Sequence, residues 1–278
     1  MRLGGQVFES YDTPDQWVSA VRRLGYRAAY CPVDAGASVQ VIRAYAAAAA
    51  QADIVIAEVG AWSNPLSADA ETRRAALATC QEQLALADAI GARCCVNIAG
   101  SRGERWDGPH PANLTPETFE LIVDTVRAII DAVKPTRTFY TLETMPWMYP
   151  DSADSYLALL HAIDRPHFAV HLDVVNMIAS PRLFYDNAAL IRDCVAKLGP
   201  HIKSCHAKDI TIADRLTLHL DEARPGTGNL DFHVMLRELA ALDADMPLLL
   251  EHMQKPEDYA LAAEYVRAVA REEGVVLS

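Results

Sequence analysis

Short apolar runs alternate with longer amphipathic ones along this chain. The short runs, at residues 3–8, 27–31, 53–59, 93–98, 139–143, 168–173, 202–206 and 247–251, have the length and composition of buried strands. The stretches between them repeat apolar positions at helical spacing, notably at 38–51, 68–90 and 256–273. Their punctuation agrees. Thr13-Pro14-Asp15 and Thr115-Pro116-Glu117 each read as an N-cap followed by proline at the first helical position, and Gly25 and Gly91 read as helix stops. Strand and helix alternate eight times without a linker or a break in composition. This predicts one α/β domain over residues 1–278, a single (β/α)8 TIM barrel.

Such a barrel gathers the C-terminal ends of its strands around one axis, where its chemistry takes place. Four runs in the second half end in side chains that can ligate a metal: Glu143, Asp173, His206 and Glu251, about 30 to 45 residues apart. A Glu/Asp/His/Glu cluster suits one divalent ion per chain, Mn²⁺ or alternatively Mg²⁺ or Co²⁺. Strand alternation puts Thr141 and Glu143 on the inward face, and Pro146 ends that strand. His171 shares the face of Asp173 one layer deeper, where it is either satisfied by a neighbour or orients a group at the metal. Lys208, two residues past His206, would place a cation by the substrate, and Asn176 is a candidate hydrogen-bonder at the mouth.

Trp62, Trp106, Trp147 and Tyr149 fall in loops at the same mouth and suit either the apolar face of a sugar ring or the stapling of a loop. Glu9 and Glu58 end earlier strands and are candidates for binding hydroxyls. Loop 101–111 adds Arg102, Arg105 and His110, as a lid, a clamp or a subunit contact. The GxGxxD pattern at 226–231 reads first as a turn followed by a helix cap, and only second as a phosphate cradle.

Composition narrows the classes. Half the residues are apolar, enough for a large core, and no run is long enough to span a membrane. The N-terminus lacks the basic-then-apolar order of a signal peptide, and the six cysteines form no CxxC pair, so a cytoplasmic protein is expected. A net charge of −12 argues against a nucleic-acid partner, which needs a basic face. The expected partners are a small sugar or keto-sugar and further copies of the chain in a homo-oligomer.

The four strand-end ligands, the His206-Ala207-Lys208-Asp209 run and the Pro225–Phe232 run together resemble the xylose isomerase-like TIM barrels. That superfamily includes sugar isomerases and epimerases, inosose dehydratase and endonuclease IV. The resemblance implies an ion held by Glu143, Asp173, His206 and Glu251. It also implies that Glu143 and Glu251 shuttle protons, as the corresponding glutamates do in ketose 3-epimerases. Those epimerases place a histidine three residues after the metal aspartate, where this chain has Asn176, and a glutamate where it has Tyr149.

The expected activity is that of a metal-dependent isomerase or epimerase working through an enediolate. Expulsion of a β-hydroxyl from the same intermediate would make it a dehydratase of a keto-sugar or keto-inositol. A non-catalytic accessory barrel and a nuclease are the remaining classes. The charge gives a direct test of the last. Binding to duplex DNA at physiological salt should be negligible in a mobility-shift assay, and an abasic-site duplex should stay intact; cleavage of that duplex would reverse the ranking.

Overall fold

The computed structural model describes all 278 residues, Met1–Ser278. Eight parallel strands form the barrel: β1 (Arg2–Gly4), β2 (Ala28–Tyr30), β3 (Val55–Gly60), β4 (Cys94–Asn97), β5 (Phe139–Glu143), β6 (Phe168–Leu172), β7 (Ile202–Ala207) and β10 (Pro247–Leu250). They pair in the order β1-β10-β7-β6-β5-β4-β3-β2. Between β1 and β2 the ring is drawn shut by one backbone hydrogen bond, Arg27 N to Leu3 O at 2.9 Å, rather than by a ladder. Gly4 permits this approach. A Cβ there would lie 2.4 Å from Ala28 O and 2.4 Å from the Leu249 side chain.

Helices α1 (Pro14–Arg23), α2 (Val39–Gln51), α3 (Ala70–Ile90), α4 (Pro116–Val133) and α5 (Ala153–Ile163) follow successive strands. Next come a short α6 (Pro181–Tyr185), α7 (Asn187–Leu198), α8 (Phe232–Leu242) and α9 (Pro256–Glu272). Their starts obey local chemistry. Thr13 and Thr115 accept the backbone N–H of Gln16 and Thr118 ahead of Pro14 and Pro116, and Asp69 accepts that of Thr72. Gly25 and Gly91 sit at φ +68° and +80°, the left-handed conformation that glycine adopts without a Cβ penalty. The apolar faces of sheet and helices merge into one continuous core in which Trp17, Tyr26, Tyr140 and Tyr156 are the largest buried rings. Five of the six cysteines are buried and all are free thiols, and no helix is long and apolar enough to cross a membrane.

The structure departs from the expected elements in three places. β1 ends at Gly4 rather than at residue 8: the chain leaves the sheet there, and Phe8 is partly exposed with its ring edge-on to Tyr259. α6 precedes α7, so the β6–β7 connection carries two helices. After β7 the chain turns back on itself as an antiparallel hairpin, β8 (Asp209–Ile212) with β9 (Leu220–Ala223), lying outside the barrel.

Since closure rests on a missing side chain, Gly4→Ala should cost ~1–3 kcal/mol of stability, the usual range for overpacking a filled interior. Thermal unfolding followed by circular dichroism should show a fall of several degrees. An unchanged midpoint would mean that β1 and β2 can part without consequence.

A buried carboxylate and histidine centre

Strand register brings the inward-facing side chains together. Glu143 pairs with His171, His171 with Ser204, and His206 with Leu249, so these residues share the inner face of the barrel. Glu143, Asp173, His206 and Glu251, all buried, each offer one ligand atom, and these atoms lie within 4.8 Å of one another. His206 Nδ1 stands 2.9 Å from Glu251 Oε2, 3.3 Å from Glu143 Oε1 and 3.7 Å from Asp173 Oδ2.

The spacing between Glu143 and Asp173 has a local cause. The hydroxyl of Tyr156, on α5, inserts between β5 and β6. It contacts Leu142 N and O at 3.0 and 2.6 Å, Ala169 O at 2.9 Å and His171 N at 3.3 Å. Just beyond this wedge Thr144 Oγ1 donates to Asp173 O at 2.6 Å, and Asp173 Oδ1 accepts the backbone N–H of Asn176 at 3.2 Å.

The opposite ring nitrogen of His206, Nε2, meets Glu58 Oε2 at 3.3 Å, and Ser204 Oγ donates to Glu58 Oε1. Burial alone would raise the pKa of Glu58, but His171 and His206 outweigh it and hold the carboxyl at about 2. Burial drives His171 the other way, to about 4, so its ring is neutral; it packs edge-on beneath His206 with centroids 4.1 Å apart. His171 offers nothing to the mouth, and Glu58 spends its carboxylate on His206. His171 thus packs where its strand position put it, beneath the group it orients, while Glu58, expected to bind hydroxyls, holds the His206 ring.

Lys208 is neither a surface lysine nor a free cation beside the substrate. It is 1% exposed, with Nζ 2.8 Å from Asp173 Oδ2, 2.9 Å from Glu251 Oε1 and 2.9 Å from Glu222 Oε1. Burial would lower its pKa, yet Asp173 and Glu251 dominate and hold it well above the usual lysine value. Glu222, from β9, also accepts from His252 Nδ1 at 2.9 Å. Sequence reasoning missed both residues. The alternation of Ile210 and Ile212, then Leu218 and Leu220, was the available signal for the hairpin that carries Glu222. No pattern marks His252, whose backbone at φ +59° is unusual for a residue other than glycine. That conformation turns the imidazole back to within 3.4 Å of Glu251 Oε2.

The residues fit a metal. Asp173 Oδ2 and Glu251 Oε1 are buried with no aligned hydrogen-bond donor, although Lys208 lies at ion-pair distance from both. Glu58, Glu143, Asp173 and Glu251 face one ammonium and one imidazole, and a divalent cation would offset the excess. Burial, then the charges of Glu251 and Asp173, push Glu143 up to about 7 against the opposing pull of His206. The carboxylates also hold His206 well above the usual histidine value, against burial. A second grouping, Glu58 with His171 and His206, needs no ion, because Glu58 already has Ser204 and His206 as partners.

Two cavities meet at this centre. One, of about 650 Å³, is walled by Trp62, Trp106, Trp147, Met145, Ile98 and Ile178 and reaches Glu143, Asn176, Glu251 and His252. The other, of about 640 Å³, passes Gln6, Tyr30, Asp34 and Gln254 and reaches Glu58, His206, Glu251 and His252. Trp147 is fixed by its Nε1 donating to Asp107 O at 2.8 Å. Trp62 folds over Gly60, where a Cβ would lie 2.4 Å from the indole nitrogen. Asn176 Nδ2 donates to Glu143 Oε1 at 3.1 Å, which places it in the centre itself.

Tyr149 stands away from the wall. Its ring meets Phe119 edge-on at 5.5 Å and its hydroxyl donates to Leu114 O, so it staples the loop. Glu9 points outward to Arg23. Arg102 donates to Leu66 O, His110 caps a 3-10 turn at Pro111–Leu114, and Arg105 pairs with Asp107 at the rim of the first cavity. The glycine-rich loop is occupied by the protein's own anion. Asp209 accepts the N–H groups of Gly226 and Gly228 on Oδ2 and those of Ile210 and Leu230 on Oδ1, at 2.8–3.0 Å. Asp231 caps α8 through Val234 N, so the turn-and-cap reading describes this segment.

Loading the centre with a metal requires displacing protons from Glu143 and His206. Mn²⁺ or Mg²⁺ at a hundred times its dissociation constant should stabilise the protein by about 2.7 kcal/mol at pH 8. The gain should shrink as pH falls through 7 and vanish in Glu143→Gln, all read by thermal shift. A shift independent of pH would show that Glu143 is not among the ligands.

The profile of one protein family, described as a xylose isomerase-like TIM barrel, matches residues 18–269. No curated protein is detectably similar in sequence. Solved structures with the same fold include D-psicose 3-epimerase with D-tagatose from Clostridium cellulolyticum, at 16% identity and TM-score 0.68, with all of both chains covered. A "probable 3-DHS dehydratase" from Bacillus anthracis is 17% identical at TM-score 0.70, covering 96% of this chain and 98% of that one. Endonuclease IV from Thermus thermophilus is 17% identical at TM-score 0.71, covering 98% and 100%. At such identities the likeness is one of fold, shared by epimerase, dehydratase and nuclease alike.

Proposed function

Since the chain belongs to the xylose isomerase-like TIM barrel family, we propose that it is a divalent-metal-dependent sugar isomerase or epimerase that moves a proton next to a carbonyl. The observation that carries this reading is the buried group of three carboxylates and His206, in which Asp173 Oδ2 and Glu251 Oε1 have no aligned hydrogen-bond donor and only the Lys208 ammonium as a counter-charge. Glu143, Asp173, His206 and Glu251 would hold the ion, Mn²⁺ by preference for a mixed imidazole and carboxylate set. When bound, it supplies Lewis-acid polarisation of a carbonyl and its neighbouring hydroxyl.

The remaining work falls to the chain's own side chains. Glu143 and Glu251 rise from β5 and β10, which β6 and β7 separate in the ring, so they approach the reacting carbon from different sides. Glu143 directs Oε1 to His206 and Asn176, while Oε2 takes no protein donor and is free to accept a proton. Glu58 fixes the His206 ring at Nε2, while Lys208 keeps Asp173 ionised and pairs with Glu251. Trp62, Trp106 and Trp147 line the apolar wall and would lie against a bound substrate.

One observation favours dehydration as the second reading. Ketose 3-epimerases have a substrate-binding histidine at the position of Asn176, whereas this amide is engaged with Glu143, a departure from the epimerase pattern. The same experiment separates the outcomes. Turnover of a panel of ketoses, aldoses, keto-sugars and their phosphates in D₂O, with Mn²⁺, should place deuterium on a carbon beside the carbonyl, as seen by NMR. The product then identifies epimer, isomer or dehydrated sugar. Glu143→Gln or Glu251→Gln should lower the rate by roughly 10²–10⁴. Product without label would remove both glutamates as proton carriers, and neither product nor label across the panel would make the barrel an accessory protein.

A further inference from the structure

Two constraints fix Lys208 at the end of β7. Register pairs Ala207 with Leu250, so the next residue on each strand, Lys208 and Glu251, leave the sheet side by side. On the other flank Asp209 is locked by the backbone N–H groups of Ile210, Gly226, Gly228 and Leu230. The ammonium is thereby carried to one spot, 2.8 Å from Asp173 Oδ2 and 2.9 Å from both Glu251 Oε1 and Glu222 Oε1.

Three carboxylate oxygens thus surround one positive charge. Only Glu222 takes an aligned hydrogen bond from it; Asp173 Oδ2 and Glu251 Oε1 take none. The ammonium acts on those two as a compact point charge, in the way a hard cation gathers oxygen ligands. The same two carboxylates also face His206. Glu251 turns Oε1 to Lys208 and Oε2 to His206 Nδ1 at 2.9 Å, and Asp173 Oδ2 lies 3.7 Å from that nitrogen. Asp173 and Glu251 therefore bridge two places for positive charge.

We infer that Lys208 is a built-in second cation: the centre is laid out for two positive ions that share Asp173 and Glu251, and the ammonium permanently fills one of the places, so that a single divalent ion is taken up. This rests on the metal-dependent reading and sets its stoichiometry. The charges agree, because the three negative charges of Glu143, Asp173 and Glu251 are met by one divalent ion and one ammonium. Lys208 is 1% exposed and borders neither cavity, so it is a positioning residue that does not touch the substrate. Removing the ammonium while leaving its three carboxylates should turn its place into a second site for a hard divalent ion.

The test counts ions rather than turnover. The full chain and its Lys208→Ala variant are dialysed at pH 8 against Mn²⁺ at roughly 100 times the concentration that half-fills the wild type. Bound Mn²⁺ is then measured by elemental analysis and by electron paramagnetic resonance. The wild type should hold one ion with the spectrum of an isolated Mn²⁺, and Lys208→Ala two, with the spectrum broadened by spin coupling. Adding Glu222→Ala to Lys208→Ala should return the count to one. Lys208→Ser, which keeps a polar group in the space, repeats the count if Lys208→Ala does not fold. A second ion in the wild type, or two ions still bound after Glu222→Ala, would overturn the inference. So would failure of both Lys208 variants to fold in excess Mn²⁺, since an ion would then not replace the ammonium. One ion in the wild type and one in the Lys208 variant sinks this inference alone. None in the wild type but one in the variant sustains it and sinks the metal-dependent reading, and none in either sinks both.

Discussion

Like charges held together out of water are the constraint on which the rest of this structure turns. Two carboxylates 4 Å apart repel by about 4 kcal/mol even at an effective dielectric of 20, and here Glu143, Asp173 and Glu251 crowd within 4.8 Å. No local segment could hold them so. The barrel can, because each stands on a strand fixed on both sides by its neighbours, with helices packed behind. Lys208 and His206 meet part of the charge, and a cation would offset the remainder. Stability and function pull in opposite directions here: apolar side chains in these positions would make a quieter core.

The supports show how closely charge and geometry are joined. His206 is gripped by carboxylates at both ring nitrogens, Glu143 and Glu251 at Nδ1 and Glu58 at Nε2. Lys208 ties the barrel to the hairpin through Glu222, and Glu222 in turn holds His252. A displacement of the hairpin would therefore be felt at Asp173 and Glu251 without any substrate being present.

Much of this was legible in the chain because a barrel repeats. The apolar strand runs, the Thr-Pro helix starts and the glycine stops recur at one period, and the side chain at each strand end stands out against its apolar neighbours. What escaped were features set by close approach. The short β1 looks longer because Val7 and Phe8 extend its apolar run, yet the chain leaves the sheet after Gly4. The wedge of Tyr156 between β5 and β6 is a tertiary contact on an otherwise ordinary helix. Lys208 and Glu58 were placed at the right level of the barrel but assigned to substrate, since burial by partners from other strands cannot be read from one strand. His252 owes its orientation to a backbone angle that no side-chain pattern encodes.

The anion that the glycine-rich loop encloses is never released, because Asp209 belongs to the same chain. The base of the hairpin is thereby fastened to the loop before α8, while its far end projects into solvent: Leu216 is 98% exposed. The hairpin is thus an arm clamped at the shoulder. Residues can be inserted or lost at its tip during divergence while Glu222 keeps its reach to Lys208, so the outer contour of the mouth can evolve separately from the charges beneath it.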